Sequence, residues 1–177
     1  MADFLINELP VSGGVVGLCC CPGHRLTSRF VQPSLHTFEQ DLDTIAAFGA
    51  RKLVTLMQAD ELRYSVLDLE LFQREVSRRG LVGLHIPIRN LDVPGADWET
   101  RWGDVGKELH ADLAGGGRFV MHCYAGVGRT GTVGARLLIE SGMDPVRAIA
   151  AIRAARPGSI ETAQQESYVA HAHWRRR

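Results

Sequence analysis

Lysine is almost missing from this chain. Of 20 Lys and Arg residues, Lys52 and Lys107 are the only lysines, and 20 Asp and Glu residues cancel the charge. A balance of zero offers no field for nucleic acid or an anionic membrane. The basic tail at Arg175–Arg177 reads as a solvated terminus. No apolar run approaches the ~20 residues of a membrane span. The start, Met1-Ala2-Asp3-Phe4, has neither the basic n-region nor the apolar core of a secretion signal. A cytoplasmic protein is expected. No internal repeat and no low-complexity linker interrupts the 177 residues, so one domain over 1–177 is expected, with its core at about 14–174.

Cysteine is also sparse, with four in all. Three are adjacent, Cys19, Cys20 and Cys21, and no Cys-x-x-Cys pair exists, which excludes the usual tetrahedral metal spacing. No His, Asp or Glu cluster has ligand spacing either, so neither metal nor cofactor is expected. The triplet reads as small hydrophobes in a strand. The alternative is a disulfide from one of them to the fourth, Cys123, under oxidising conditions.

What is present centres on that fourth cysteine, in His122-Cys123-Tyr124-Ala125-Gly126-Val127-Gly128-Arg129-Thr130-Gly131-Thr132. Arg118 to His122 reads as a buried strand and Thr130 to Ser141 as a helix. A tight glycine-containing loop before a helix start turns backbone N–H groups inward and makes an anion site. Arg129 adds a planar fork of donors matched to two phosphate oxygens. Such a field favours the thiolate of a cysteine at its mouth, and a thiolate facing phosphate is a nucleophile. His122 points to the opposite face of the strand and is expected to brace the loop.

The rest of the chain alternates strands and helices. Residues 1–12 read as an irregular lead-in. Strands are expected over Gly14–Cys20, Arg51–Met57 and Val82–Ile88. Helices are expected over His36–Phe48, Leu67–Arg79, Asp97–Leu113, Asp144–Ala155 and Glu161–Trp174, with a helical turn over Ala59–Tyr64. This pattern predicts an α/β layer sandwich, a mostly parallel central sheet flanked by helices, with ligands at the carboxyl ends of the strands.

Phosphoryl transfer to sulfur needs an acid for the leaving oxygen. Asp92, on the loop after a strand, is the first candidate; Asp97 and Asp60 follow. The Thr130 hydroxyl is expected to donate to the Cys123 sulfur, or to cap the helix. Gln164 and Gln165 are expected to position water, with a solvated helix face as the alternative.

The segment His122–Thr132 resembles the signature loop of cysteine-dependent protein tyrosine and dual-specificity phosphatases. Gly17-Leu18-Cys19-Cys20-Cys21-Pro22-Gly23, Leu53-Val54-Thr55-Leu56, Glu61-Leu62, His85-Ile86-Pro87-Ile88 and Gly158-Ser159-Ile160-Glu161-Thr162 fall in the order seen in the kinase-associated phosphatase type. The resemblance implies Cys123 as nucleophile, Arg129 as phosphate ligand and the amides of Tyr124, Ala125, Gly126, Val127 and Gly128 as the cradle. It also shows a departure: the position where such proteins carry the acid aspartate holds Asn90. The expected activity is hydrolysis of phosphotyrosine, and of phosphoserine or phosphothreonine, by a monomer acting on phosphorylated proteins or peptides. The rivals are a phosphoinositide or small-molecule phosphatase, a sulfur-transfer enzyme and a phosphate-binding module weakened in catalysis.

Overall fold

The computed structural model describes residues 4–24, 34–65 and 68–171. The loop expected over 24–35 and the tail at 175–177 fall largely outside them. In chain order the elements are β1 (Asn7–Val11), β2 (Gly14–Cys19), α1 (Leu35–Ala47), β3 (Lys52–Thr55), α2 (Ala59–Ser65), α3 (Leu69–Arg78), β4 (Val82–His85), α4 (Ala96–Ala114), β5 (Arg118–His122), α5 (Gly128–Glu140), α6 (Pro145–Ala155) and α7 (Ala163–His171). The sheet runs β1-β2-β5-β3-β4, parallel throughout except for β1, which pairs antiparallel with β2.

The three inner strands are apolar on both faces. Val16 and Leu18, Leu53 and Val54, and Phe119, Val120 and Met121 are all fully buried. That is the composition of a parallel sheet covered on both sides. Each such side chain contributes about 1.5–3 kcal/mol on burial. α5 is enclosed too, with every residue from Gly128 to Ile139 buried.

The lead-in expected before residue 12 contains a strand. β1 went unseen because Asn7, Glu8 and Pro10 mask its alternation. Its Leu9 and Val11 are buried while Glu8 and Pro10 face out, and a proline is tolerated on an edge strand. Helix ends also differ. Ser34 caps α1 by accepting from Thr37 N, and Asp144 caps α6 with Pro145 at its first position. α4 begins one residue before Asp97, with Gly95 at the cap and no side-chain bond there.

Register is what positions the site. Cys19 pairs with His122, His122 with Thr55, and Thr55 with His85. The last residues of four parallel strands therefore stand in one row. Everything that follows them leaves over the same edge: the Cys20–His24 turn, the Cys123 loop, the β3–α2 turn and the β4–α4 loop.

Candidate functional site

The Cys123 loop is an arc of amides. The carbonyls of its peptides are held from outside: Tyr124 O accepts from Cys21 N, Ala125 O from Arg156 Nη2, Val127 O from Ile160 N and Gly131 N, and Gly128 O from Thr132 Oγ1. A planar peptide points its N–H opposite its carbonyl. Among the described residues, none accepts from the amides of Tyr124 through Thr130. Gly126 is obligatory for this shape. Its φ is +73°, and a Cβ there would lie 2.0 Å from the Cys19 carbonyl oxygen. Cys123, Tyr124, Ala125 and Arg129 line one cavity of about 110 Å³ with Asn90, Leu91, Glu161 and Gln165. At ~30 Å³ per water this is room for a few waters or one phosphoryl group.

Arg129 is 2% exposed and fixed by partners from two other loops. Its Nη1 donates to Glu61 Oε2 at 2.6 Å and its Nη2 to Glu61 Oε1 at 2.9 Å, a bidentate pair. Nη1 also donates to Ile88 O at 3.0 Å, and Nη2 to Asn90 Oδ1 at 3.1 Å. Glu61 in turn accepts from Gln58 N at 2.8 Å, closing the first turn of α2. Its anchoring of Arg129 was not legible in sequence, because 68 residues separate the two. Arg156, just after α6, braces the loop from behind. It donates to Ala125 O at 2.9 Å and to Asn7 Oδ1 at 2.6 Å.

His122 braces the loop from the sheet side. Its ring, fully buried and stacked on Phe72, bonds Thr55 Oγ1 at 2.9 Å through Nε2 and Cys123 O at 3.2 Å through Nδ1. The carbonyl requires Nδ1 to carry the proton, so the Thr55 hydroxyl donates to Nε2. Burial favours this neutral ring and lowers its pKa from 6.5 to about 4.

The other expected residues are placed as follows. Asp92, expected as the acid, is not among the cavity's lining residues. Its Oδ1 accepts from Val93 N and Gln164 Nε2, and it lines a neighbouring open groove of about 420 Å³ with Asp97 and Trp98. Asp97 is exposed in the first turn of α4, and Asp60 accepts from Glu61 N on α2. Thr130 lies inside α5, whose cap is Val127, and its buried hydroxyl bonds neither the Cys123 sulfur nor anything else described. Gln165 is fully buried at the cavity. Its Oε1 accepts from Glu161 N and Thr162 N, and its Nε2 donates to Asp92 O. Cys19, Cys20, Cys21 and Cys123 are all free thiols, and burial pushes the pKa of Cys19 and Cys21 well up. Among the described residues, no three His, Cys, Asp or Glu side chains are grouped to hold a metal.

A larger cavity of about 560 Å³ lies between α4 and α5, lined by Glu99, Trp102, Lys107, His110, Arg136 and Glu140 among others. Arg136, one of its cations, is already paired with Glu99 and Glu140, and no cysteine lines the cavity.

The family model described as Swiss Army Knife protein, DSP-PTPase phosphatase domain, matches residues 27–169. Cyclin-dependent kinase inhibitor 3 of Rattus norvegicus is 29% identical, over 93% of this chain and 76% of its own length. A probable protein tyrosine phosphatase type IVA B of Dictyostelium discoideum is 26% identical, over 81% of this chain and 88% of its own. In fold, the crystal structure of kinase associated phosphatase with a serine replacing its catalytic cysteine superposes with a TM-score of 0.82 at 22% identity, covering 99% of this chain and 97% of that one.

Proposed function

The chain belongs to the DSP-PTPase phosphatase domain family, and from that premise we propose that it hydrolyses phosphotyrosine in proteins through a phosphocysteine intermediate. The observation that carries this reading is the run of amides from Tyr124 to Thr130 with no acceptor among the described residues, on a loop whose Cys123, Tyr124, Ala125 and Arg129 line one cavity. The Cys123 thiolate attacks phosphorus. The loop amides take the equatorial oxygens as charge spreads over them. Arg129 adds its Nε–H and the Nη2–H now on Asn90, two parallel donors for two oxygens. The cysteinyl phosphate is then hydrolysed by water, which returns the thiolate.

Two features at the mouth support an aromatic leaving group. Leu91 and Tyr124, large apolar residues each roughly half exposed, stand at the cavity's rim. They offer a phosphotyrosine ring two apolar walls. The same pocket accepts phosphoserine and phosphothreonine with less contact. The loop carries no lysine, so it lacks added cations for the several phosphates of an inositol ring. No described helix is long and apolar enough to cross a membrane. We place the enzyme in the cytoplasm with phosphorylated proteins as its partners.

The test is turnover of an aryl phosphate by wild type and Cys123→Ser. Activity should disappear in the variant, and equal rates in the two would overturn the reading. A panel of phosphopeptides and inositol phosphates assigns the substrate class.

A further inference from the structure

We propose that Glu161, rather than Asp92, is the proton donor and acceptor of the reaction; the proposal rests on the phosphatase reading above. Among the described residues, Glu161 is the only carboxylate lining the Cys123 cavity. It reaches the loop closely: a Cβ on Gly128 would lie 2.7 Å from Glu161 Oε2. With glycine at 128, this carboxylate has room over the start of α5 without any shift of its flexible side chain. No described residue pairs with the Glu161 carboxylate, so it is available to a ligand's oxygen.

Two further observations concern how the carboxylate is aimed. Ile160, immediately before it, has φ +63°, a left-handed conformation that is an outlier for a β-branched side chain. The strain is held by burial of the Ile160 side chain and by its N–H donating to Val127 O, within the loop itself. Strain of this kind costs about 1–3 kcal/mol and persists where surrounding contacts over-determine it. Here it turns the chain so that residue 161 faces the cavity.

The second observation is the fastening of the opposite lip. Thr162 Oγ1 donates to Leu91 O at 3.4 Å, Gln164 Nε2 to Asp92 Oδ1 at 3.1 Å and Gln165 Nε2 to Asp92 O at 3.2 Å. These bonds hold the Asp92 side chain outside the cavity. Asn90 is engaged with Arg129 and carries no acidic proton.

The proton balance closes on one side chain. In the first step Cys123 Sγ bonds to phosphorus, the bond from phosphorus to the leaving oxygen breaks, and that oxygen takes the proton of the Glu161 carboxyl group. In the second step water bonds to phosphorus, the sulfur–phosphorus bond breaks, and the Glu161 carboxylate takes the water's proton. Phosphate leaves, and both groups regain their starting states.

The test compares wild type, Glu161→Gln and Asp92→Asn on an alkyl phosphate and on an activated aryl phosphate. Loss of a general acid should lower kcat for Glu161→Gln on the alkyl ester by about 10²-fold or more. The activated aryl ester should lose far less in its first step and should accumulate a phosphoryl adduct on Cys123, visible by intact-protein mass spectrometry. Asp92→Asn should keep the wild-type dependence on the leaving group. Thermal melts of both variants should match wild type, since neither side chain is buried. The proposal is overturned if Asp92→Asn shows the leaving-group-dependent loss, or if Glu161→Gln does not. Failure of the phosphatase reading looks different: Cys123→Ser would then equal wild type on both esters.

Discussion

Replacing Glu61 by Gln tests whether Arg129 is held by charge or by shape. Glu61 accepts three hydrogen bonds, from Gln58 N and from both terminal nitrogens of Arg129. An amide of the same size cannot accept all three, because either orientation turns its NH2 against a donor. Arg129 is 2% exposed and would be left with backbone carbonyls and Asn90. Breaking a buried ion pair from one side costs about 3–5 kcal/mol. The Glu61 side chain keeps 19% of its exposure, so the lower end applies, about 3 kcal/mol. For a domain of this size that corresponds to a fall in Tm of about 6–12 °C. Turnover suffers as well, since a guanidinium free to rotate no longer presents two aligned donors; kcat/KM should fall by about 10²-fold. Inorganic phosphate supplies the missing negative charge, so it should raise the Tm of Glu61→Gln more than that of wild type. Differential scanning fluorimetry with and without phosphate, beside aryl phosphate kinetics, reads all three effects. A Tm within about 1 °C of wild type, with kcat/KM within about twofold, would refute the reasoning.

Two more perturbations follow from the site. His122 titrates at about 4 when folded, against 6.5 ordinarily, so the unfolded chain binds its proton first as pH falls. Stability from the neutral ring is full above pH 6.5 and is lost on the way down to about 4, amounting to about 3 kcal/mol. His24 and His85 are shifted in the same direction by burial. Urea denaturation between pH 7.5 and 4.5 should show the fall, and histidine NMR shifts should show His122 neutral at pH 5.5. Gly126→Ala should destabilise by about 2–4 kcal/mol and abolish turnover, because its Cβ meets backbone atoms of Cys19 and Cys20. Gly142→Ala, also at positive φ but with open space around it, is the control and should lose about 1 kcal/mol with activity intact.

The loop from Cys123 to Arg129 was legible because seven consecutive residues contain all of it. The glycines, the strand before it and the helix after it are local signals. The inner strands were legible for the same reason, as short apolar runs ended by turn residues. What escaped was long-range. Glu61 meets Arg129 across the β3–α2 turn, Arg156 meets Ala125 from the far end of α6, and Glu161 meets Gly128 through a strained bend. No periodicity announces such pairs. Asp92 drew attention because a loop after a strand is where an acid belongs. The three hydrogen bonds from Thr162, Gln164 and Gln165 that hold its loop come from about 70 residues away. Asp97, the second candidate acid, lies exposed in the first turn of α4.

The side chain of Gln165 sits between two walls of the cavity. Its amide oxygen holds the entry of α7 through Glu161 N and Thr162 N, while its amide nitrogen holds the β4–α4 loop through Asp92 O. Because that amide is planar, it cannot turn away from one partner and stay with the other. The Asp92 lip and the approach to α7, with Glu161 on it, are therefore tied through one buried side chain, like two leaves riveted by a single pin.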